Sequence, residues 1–315
     1  MLDAPKPART RDLPPETRAI YAEKLRRHRT YTRTVASNAD WHTTPYFVSI
    51  ETLMLCNAAC EFCPYPTLDR KGLRMPDDLF AKIVDDLAAK CPRGIPNFTL
   101  NRVSEPFLDA RTFDFARYLV SKFPTTKINR VTNGSALTDK VLDKLIDQGS
   151  TGYIKTSFND HRPDHYEKTM QLPFERTFRN IKRLHERHAA GDFDTYTMVG
   201  RVGDGTLADA EFVEWVRREF PRFHPIVSPR FDWMGYTHSF SSGVLGQKCA
   251  QWFELHFLAD GKEAMCCIDS TGEYGRGDAN VENAYDIYMH PTRQAMRAAK
   301  SRRDLDVCRT CSALV

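Results

Sequence analysis

The chain lacks several features that would place it early. None of its 315 residues falls in an apolar stretch approaching the roughly 20 residues that span a bilayer, so no membrane partner is expected. Charge of one sign is also missing. Lys and Arg number 45 against 41 Asp and Glu, a net +4, and nothing in that balance demands a nucleic-acid partner. The opening segment, MLDAPKPARTRDLPPET, is rich in proline and charge and has no apolar core of a secretory signal. It reads as a mobile tail. Repeats and low-complexity tracts are absent. Nine cysteines in a chain with no sign of secretion point to metal or redox work rather than a disulfide framework, in a reducing cytoplasm.

What is present is a regular alternation of strand and helix patterns. A helix is expected over 16–29, and its basic run KLRRHR at 24–29 reads as a solvated face. Strands are expected at 47–52, 97–100, 127–132, 153–157, 195–201 and 226–231. Helices are expected between and after them at 77–89, 112–123, 138–148, 174–188 and 207–220. Thr138 suits an N-cap and Gly149 a stop. Six βα-like units predict an α/β fold, an open partial barrel at 46–234 rather than the closed eightfold one. A tail and helix (1–45) precede it. A Gly- and Ser-rich linker (235–248) and a small C-terminal domain (249–315) follow. Right-handed crossovers put every strand's carboxyl end on one face, where the loops form a site.

The first strand leads into LCNAACEFCPY, in which Cys56, Cys60 and Cys63 have the spacing C-x3-C-x2-C and Phe62 precedes the third. Three thiolates so close in sequence can hold three corners of a cubane iron–sulfur cluster and leave one iron open. On spacing alone, half of a zinc site is the alternative. The motif and its position resemble the signature of the radical S-adenosylmethionine (SAM) superfamily. The resemblance implies a partial (β/α)6 barrel, a [4Fe–4S] cluster on Cys56, Cys60 and Cys63, and SAM chelating the open iron. An external one-electron reductant of the flavodoxin or ferredoxin type is implied too. The chemistry would be a 5′-deoxyadenosyl radical that takes hydrogen from a substrate C–H bond.

The same resemblance implies contacts to SAM. Phe62 stands beside the cluster. Glu105-Pro106 matches the family's Gly-Gly-Glu-Pro, but Val103-Ser104 replaces the glycines, leaving Ser104 and Glu105 as the candidate contacts. A loop carboxylate paired with Arg102 is the other reading of Glu105. Asn133 lies in the turn Thr132-Asn133-Gly134, which is equally a tight turn needing positive φ at Gly134. Ser157 and Asn159, with Lys155 nearby, match the segment that reaches the ribose and carboxylate of SAM. Arg201 would pair with the carboxylate, or be a surface arginine.

A second cysteine set comprises Cys249, Cys266, Cys267, Cys308 and Cys311. Asp260-Gly261 between apolar runs predicts a hairpin. Eleven residues separate Cys249 from Gly261 and four separate Gly261 from Cys266. This resembles the SPASM/twitch appendage, an α+β domain for auxiliary clusters, in its shorter twitch form. It implies one auxiliary [4Fe–4S] cluster on Cys249, Cys266, Cys308 and Cys311, with Cys267 an alternate for Cys266. A four-cysteine zinc site is the other reading. Neighbouring strand residues face opposite ways, so one of Cys266 and Cys267 is left over. Cys267 is then a core filler or a hydrogen-atom donor, the one candidate catalytic residue. Cys91 reads as an inert thiol.

Twitch-bearing aminocyclitol dehydrogenases and aminoglycoside epimerases of antibiotic pathways are the relatives this architecture suggests. They imply a small polar substrate of sugar or aminocyclitol type, dehydrogenated to a ketone or epimerised. A peptide-modifying maturase is the alternative, although such enzymes usually carry a larger recognition domain than 1–45 provides. An iron–sulfur or zinc protein without SAM chemistry, serving structure or electron transfer, is the alternative of another class. Asp160, His161, Asp232, Trp233 and His238 follow strands four and six and fit a polyhydroxylated substrate that can carry positive charge.

Overall fold

A computed structural model describes residues 13–237, 246–309 and 311; His238 and most of the expected linker lie outside the described residues. Helix α1 (Pro15–Ser37) leads into β1 (Phe47–Ile50). The alternation continues with α2 (Asp77–Lys90), β2 (Asn97–Thr99), α3 (Thr112–Lys122), β3 (Lys127–Thr132), α4 (Asp139–Gln148) and β4 (Thr151–Ser157). Two helices, α5 (Pro163–Met170) and α6 (Phe174–Ala189), precede β5 (Tyr196–Gly203), α7 (Ala208–Glu219) and β6 (His224–Pro229). The turn chemistry acts as the residues dictate. Thr138 accepts a hydrogen bond from the Val141 amide as N-cap of α4, and Gly149 ends that helix at φ 64°.

Strands β1 to β6 are parallel and lie in chain order, and the sheet does not close. The fold is therefore the open, partial (β/α)6 barrel. The chain then returns to the β1 edge. Strand β7 (Glu254–Phe257) pairs in parallel with β1, and β8 (Glu263–Ala264) pairs antiparallel with β7. The hairpin expected at Asp260-Gly261 forms, and it extends the barrel sheet to eight strands. Helices α8 (Ala284–Tyr288) and α9 (Pro291–Ala298) follow.

The two faces of this sheet differ, because alternate residues on a strand point opposite ways. Val48, Ile50, Phe98, Ile128, Leu255 and Phe257 point outward and are buried with Ile83, Val84 and Leu87 of α2. Ile154, Val199 and Val227 do the same against Ile181 of α6 and Phe212 of α7. Their inward neighbours are polar: Ser49, Thr99, Asn129, Lys155, Ser157 and His256. A polar inner wall needs water or a ligand within hydrogen-bonding reach, which is what an open barrel interior supplies.

Helix α1 packs against β6, α7 and the turn that precedes β7, so it lies across the unclosed seam of the barrel. Thr17 donates to the Thr206 carbonyl at 2.7 Å and Tyr21 donates to Asp209 at 2.8 Å. Gly203 admits this approach, since a Cβ there would lie 1.9 Å from the Tyr21 hydroxyl. The sequence suggested that the basic run at 24–29 is a solvated face, but part of it is turned inward. Lys24, His28 and Tyr31, spaced four and three residues apart on one helix face, line the barrel cavity.

Candidate active site

One cavity of about 810 Å³ runs through the barrel interior, bounded by the strand ends, the cysteine loop, α1 and the C-terminal segment. Its size falls within the range of pockets that enclose small molecules. Cys56, Cys60 and Cys63 all line it, as free thiols. Their loop is pinned from two sides. The Ala59 and Glu61 amides donate to the Met170 and Thr169 carbonyls at the end of α5, each at 3.2 Å. On the other side Asn133 donates through its side chain to Asn57 Oδ1 at 2.9 Å, and Asn57 donates to Ser135 Oγ at 2.8 Å. The Asn133 amide group also points at Cys56 Sγ at 3.8 Å, and the Ala58 backbone N–H at 3.4 Å. Donors aimed at a sulfur favour its thiolate form.

The chemistry of the three sulfurs fits an iron–sulfur cluster. Burial raises all three thiol pKa values, Cys63 to about 11, and the neighbouring sulfurs raise Cys60 further. Three thiolates in one desolvated place require a cationic centre. Among the described residues no group of three or more His, Cys, Asp or Glu side chains is arranged to hold a single metal ion.

The residues expected to touch SAM divide into two groups. Phe62, Ser104, Glu105, Asn133, Ser157 and Asn159 all line the cavity beside the cysteines. Of these, Ser104 and Ser157 line the cavity and make no side-chain hydrogen bond among those described. Glu105, Asn133 and Asn159 are already employed. Glu105 accepts from Thr132 Oγ1 and the Asn133 amide, both at 2.7 Å, and from the Phe107 amide at 3.3 Å. Burial nonetheless raises its pKa to about 7, against the lowering effect of those donors. Asn159 sits at φ 68°, a conformation asparagine tolerates. It accepts from the Val202 amide at 2.8 Å and donates to Met170 Sδ at 2.9 Å, stitching β4 to β5 and α5.

Arg201 is not brought to the cavity. Its guanidinium donates to Asp209 Oδ1 at 2.7 Å, to Asp160 and Asp204 at 2.8 Å each, and to the Asn159 carbonyl. It lies behind the β5 end, and its side chain is buried by these partners. Asp160 is thereby a structural anion, also paired with Arg162 at 2.8 Å, and does not line the central cavity. His161 packs near Phe212 and Trp215. Asp232 accepts from the Met234 amide in a turn. The acidic wall expected for a cationic substrate is therefore not formed by these residues. Trp233 does line the cavity, and its indole N–H donates to the Phe62 carbonyl at 3.0 Å, clamping the cysteine loop.

At the far end the second cysteine set meets the same cavity. Cys249, Cys266, Cys308 and Cys311 share one apolar cluster with Trp252 and Met296. Arg302 Nη1 lies 3.9 Å from Cys311 Sγ as a donor. Cys267 belongs to no apolar cluster; it is exposed toward the cavity and lines it with Cys249. The Cys267 amide donates to Gln251 Oε1 at 3.1 Å, and Gln251 donates to Glu254 at 2.9 Å. Arg102 joins the two ends. From the loop after β2 it donates to the carbonyls of Cys266 and Asp269, each at 3.0 Å. Cys91 is buried beside α2, away from both sets.

Reading motifs missed Asn57, Ser135, Lys24, Glu254 and His256 in this site. Alternation on β7 and the four-residue spacing on α1 were the available signals.

A sequence model described as the Radical SAM superfamily matches residues 50–217, more than half of the chain. No curated protein matches. Among solved structures, BtrN in complex with AdoMet and 2-DOIA is similar at a TM-score of 0.58 and 13% identity, over 84% of this chain and 92% of that one. SuiB of Streptococcus suis bound to precursor peptide SuiA gives 0.64 and 12%, over 90% and 73%. Native anSMEcpe with bound AdoMet gives 0.57 and 13%, over 79% and 82%. At these identities the likeness is one of fold. Among the described residues no helix is long and apolar enough to cross a membrane.

Proposed function

The chain belongs to the radical SAM superfamily, whose cofactors are a [4Fe–4S] cluster and SAM, and from that premise we propose that it acts on a C–H bond of a small polar substrate of the sugar or aminocyclitol kind. Cys56, Cys60 and Cys63 hold the first cluster in this reading. The bound cluster and SAM supply a 5′-deoxyadenosyl radical that takes a hydrogen atom from the substrate. The residues of the chain do the rest. Asn133 and Asn57 hold the cysteine loop in place, Phe62 covers it, and the Ser104 and Ser157 hydroxyls meet the polar groups of SAM. Cys249, Cys266, Cys308 and Cys311 hold an auxiliary cluster in a twitch-type domain at 249–315, beyond a barrel at 46–234. An external flavodoxin- or ferredoxin-type protein supplies the electron.

The observation that carries this reading is the single cavity shared by Cys56, Cys60 and Cys63 at one end and Cys249 and Cys267 at the other. A substrate seated between them has the radical source on one side and a thiol on the other. Cys267 would return a hydrogen atom to the substrate radical in an epimerisation; in a dehydrogenation the radical would instead lose its hydroxyl proton and one electron, the auxiliary cluster being the acceptor, to leave a ketone. A peptide-modifying reading is supported by the likeness to SuiB with its precursor peptide bound.

The test is anaerobic reconstitution followed by reductant and SAM. About eight irons per chain is expected for two cubanes, with 5′-deoxyadenosine as product. A fully loaded sample that makes none sinks the enzyme reading. Once a substrate is in hand, D2O separates the outcomes. Deuterium at an inverted carbon that disappears in Cys267→Ala supports the donor role; an oxidised product without label removes it.

A further inference from the structure

Among the described residues, two ammonium groups of the cavity wall have no carboxylate paired with them. Lys155 faces inward from β4, two residues below Ser157, and Lys24 reaches the same cavity from α1. Among the described residues neither side chain makes a hydrogen bond or an ion pair. Burial disfavours the charged form of both lysines, and each lysine's charge opposes the other's. The carboxylates on the same wall are committed elsewhere. Glu105 is held by Thr132, Asn133 and Phe107. Glu254 accepts from Gln251 and lies 3.5 Å from His256.

The neighbouring strand is shaped around one of these lysines. A Cβ at Gly200 of β5 would lie 2.9 Å from Lys155 Cε, so glycine leaves room for the lysine stem. Two like charges held in a partly desolvated recess repel each other and favour losing their protons. A bound anion removes both penalties at once, and ammonium groups serve phosphate and carboxylate as compact point charges.

We propose that the substrate carries an anionic group, phosphate or carboxylate, seated between Lys24 and Lys155, with the carbon to be attacked toward the cysteine loop. This rests on the enzyme reading above and names its substrate class. Lys24 comes from the helix across the seam, whereas Lys155 lies two residues from Ser157, so the test must separate a substrate anion from the carboxylate of SAM.

The test uses the reconstituted, SAM-saturated protein and calorimetric titration with inorganic phosphate and, separately, acetate. One probe is expected to bind, and raising NaCl from about 50 to about 300 mM should weaken it through screening. Lys24→Gln and Lys155→Gln should each weaken it about tenfold or more, while Lys155→Arg retains it. The tighter probe identifies phosphate or carboxylate. Anion binding that neither glutamine variant changes would overturn the proposal. So would competition between the probe and SAM, or an equal loss of SAM affinity in the variants, because the lysines would then serve the SAM carboxylate. Formation of 5′-deoxyadenosine by the unsubstituted protein is scored separately. Its failure strikes the enzyme reading and leaves the anion titration interpretable.

Discussion

Gly134 offers a quantitative probe of the loop that holds the first cysteines. It lies at φ 81°, where a residue with a Cβ is strained. A Cβ there would stand 2.8 Å from Thr156 Cγ2, 3.2 Å from Thr177 Cγ2 and 3.4 Å from Ile181 Cγ1. Thr156 and Ile181 are fully buried, so neither methyl can swing into solvent. The left-handed backbone costs about 1–2 kcal/mol, and overpacking a closed core adds about 1–3 kcal/mol. Gly134→Ala is expected to destabilise the metal-free, reduced protein by about 2–5 kcal/mol. Gly149 supplies the control. It has a similar backbone at φ 64° and nothing within 4 Å of its Cβ position, so Gly149→Ala should cost only the first amount. Urea unfolding under anaerobic conditions, with equal slopes for the two variants, reads the difference directly. Gly134→Ala should also take up less iron, because Asn133 next to it orients Asn57 and Cys56. Equal midpoints for the two variants would refute the argument that Thr156 and Ile181 close on this turn.

Two further outcomes follow from buried charges. Asp209 is fully buried, accepting from Tyr21 and Arg201. Asp209→Ala should cost about 3–5 kcal/mol by stranding part of the Arg201 charge, and Tyr21→Phe about 1 kcal/mol; limited proteolysis within α1 should accelerate in both. Glu105 holds its proton more tightly folded, at about 7, than its ordinary 4.5. A raised folded pKa contributes stability that is fully present below about 4.5 and lost as pH rises through about 7, here about 3 kcal/mol. Subtracting the pH–stability curve of Glu105→Gln from that of the unsubstituted protein should isolate this slope; a flat difference would contradict it.

Local chemistry made much of this fold legible. The strand expected at 127–132 is observed as Lys127–Thr132, and the helix expected at 112–123 as Thr112–Lys122, because period, caps and glycine stops are all local signals. Helix α5 has no counterpart among the expected helices; its eight residues are too few for a clear period, and its first turn is set by Pro163. The β1–β7 pairing was invisible, since no residue of FVSI names its partner. In the site, spacing singled out Cys56, Cys60 and Cys63, which the structure brings to one cavity, but left half of a zinc site as the alternative. The place of Arg201 was not legible, because its partners Asp204 and Asp209 look like ordinary loop and helix acids until the β5 end turns back on them. The lysines of the cavity were hidden for a related reason. Lys24 resembles its solvated neighbours in sequence, and only the packing of α1 across the seam distinguishes it.

The pairing of β7 with β1 also fixes an order of events at the ribosome. Strand β1 is made early, but its second partner begins at Glu254, some 200 residues later. At about 5–20 residues per second, that is a wait of roughly 10–40 s. Throughout it, the amides and carbonyls on one side of Phe47–Ile50 have no strand beside them, and an open edge is a template for pairing with other chains. The arrival of Glu254–Phe257 is what ends that exposure.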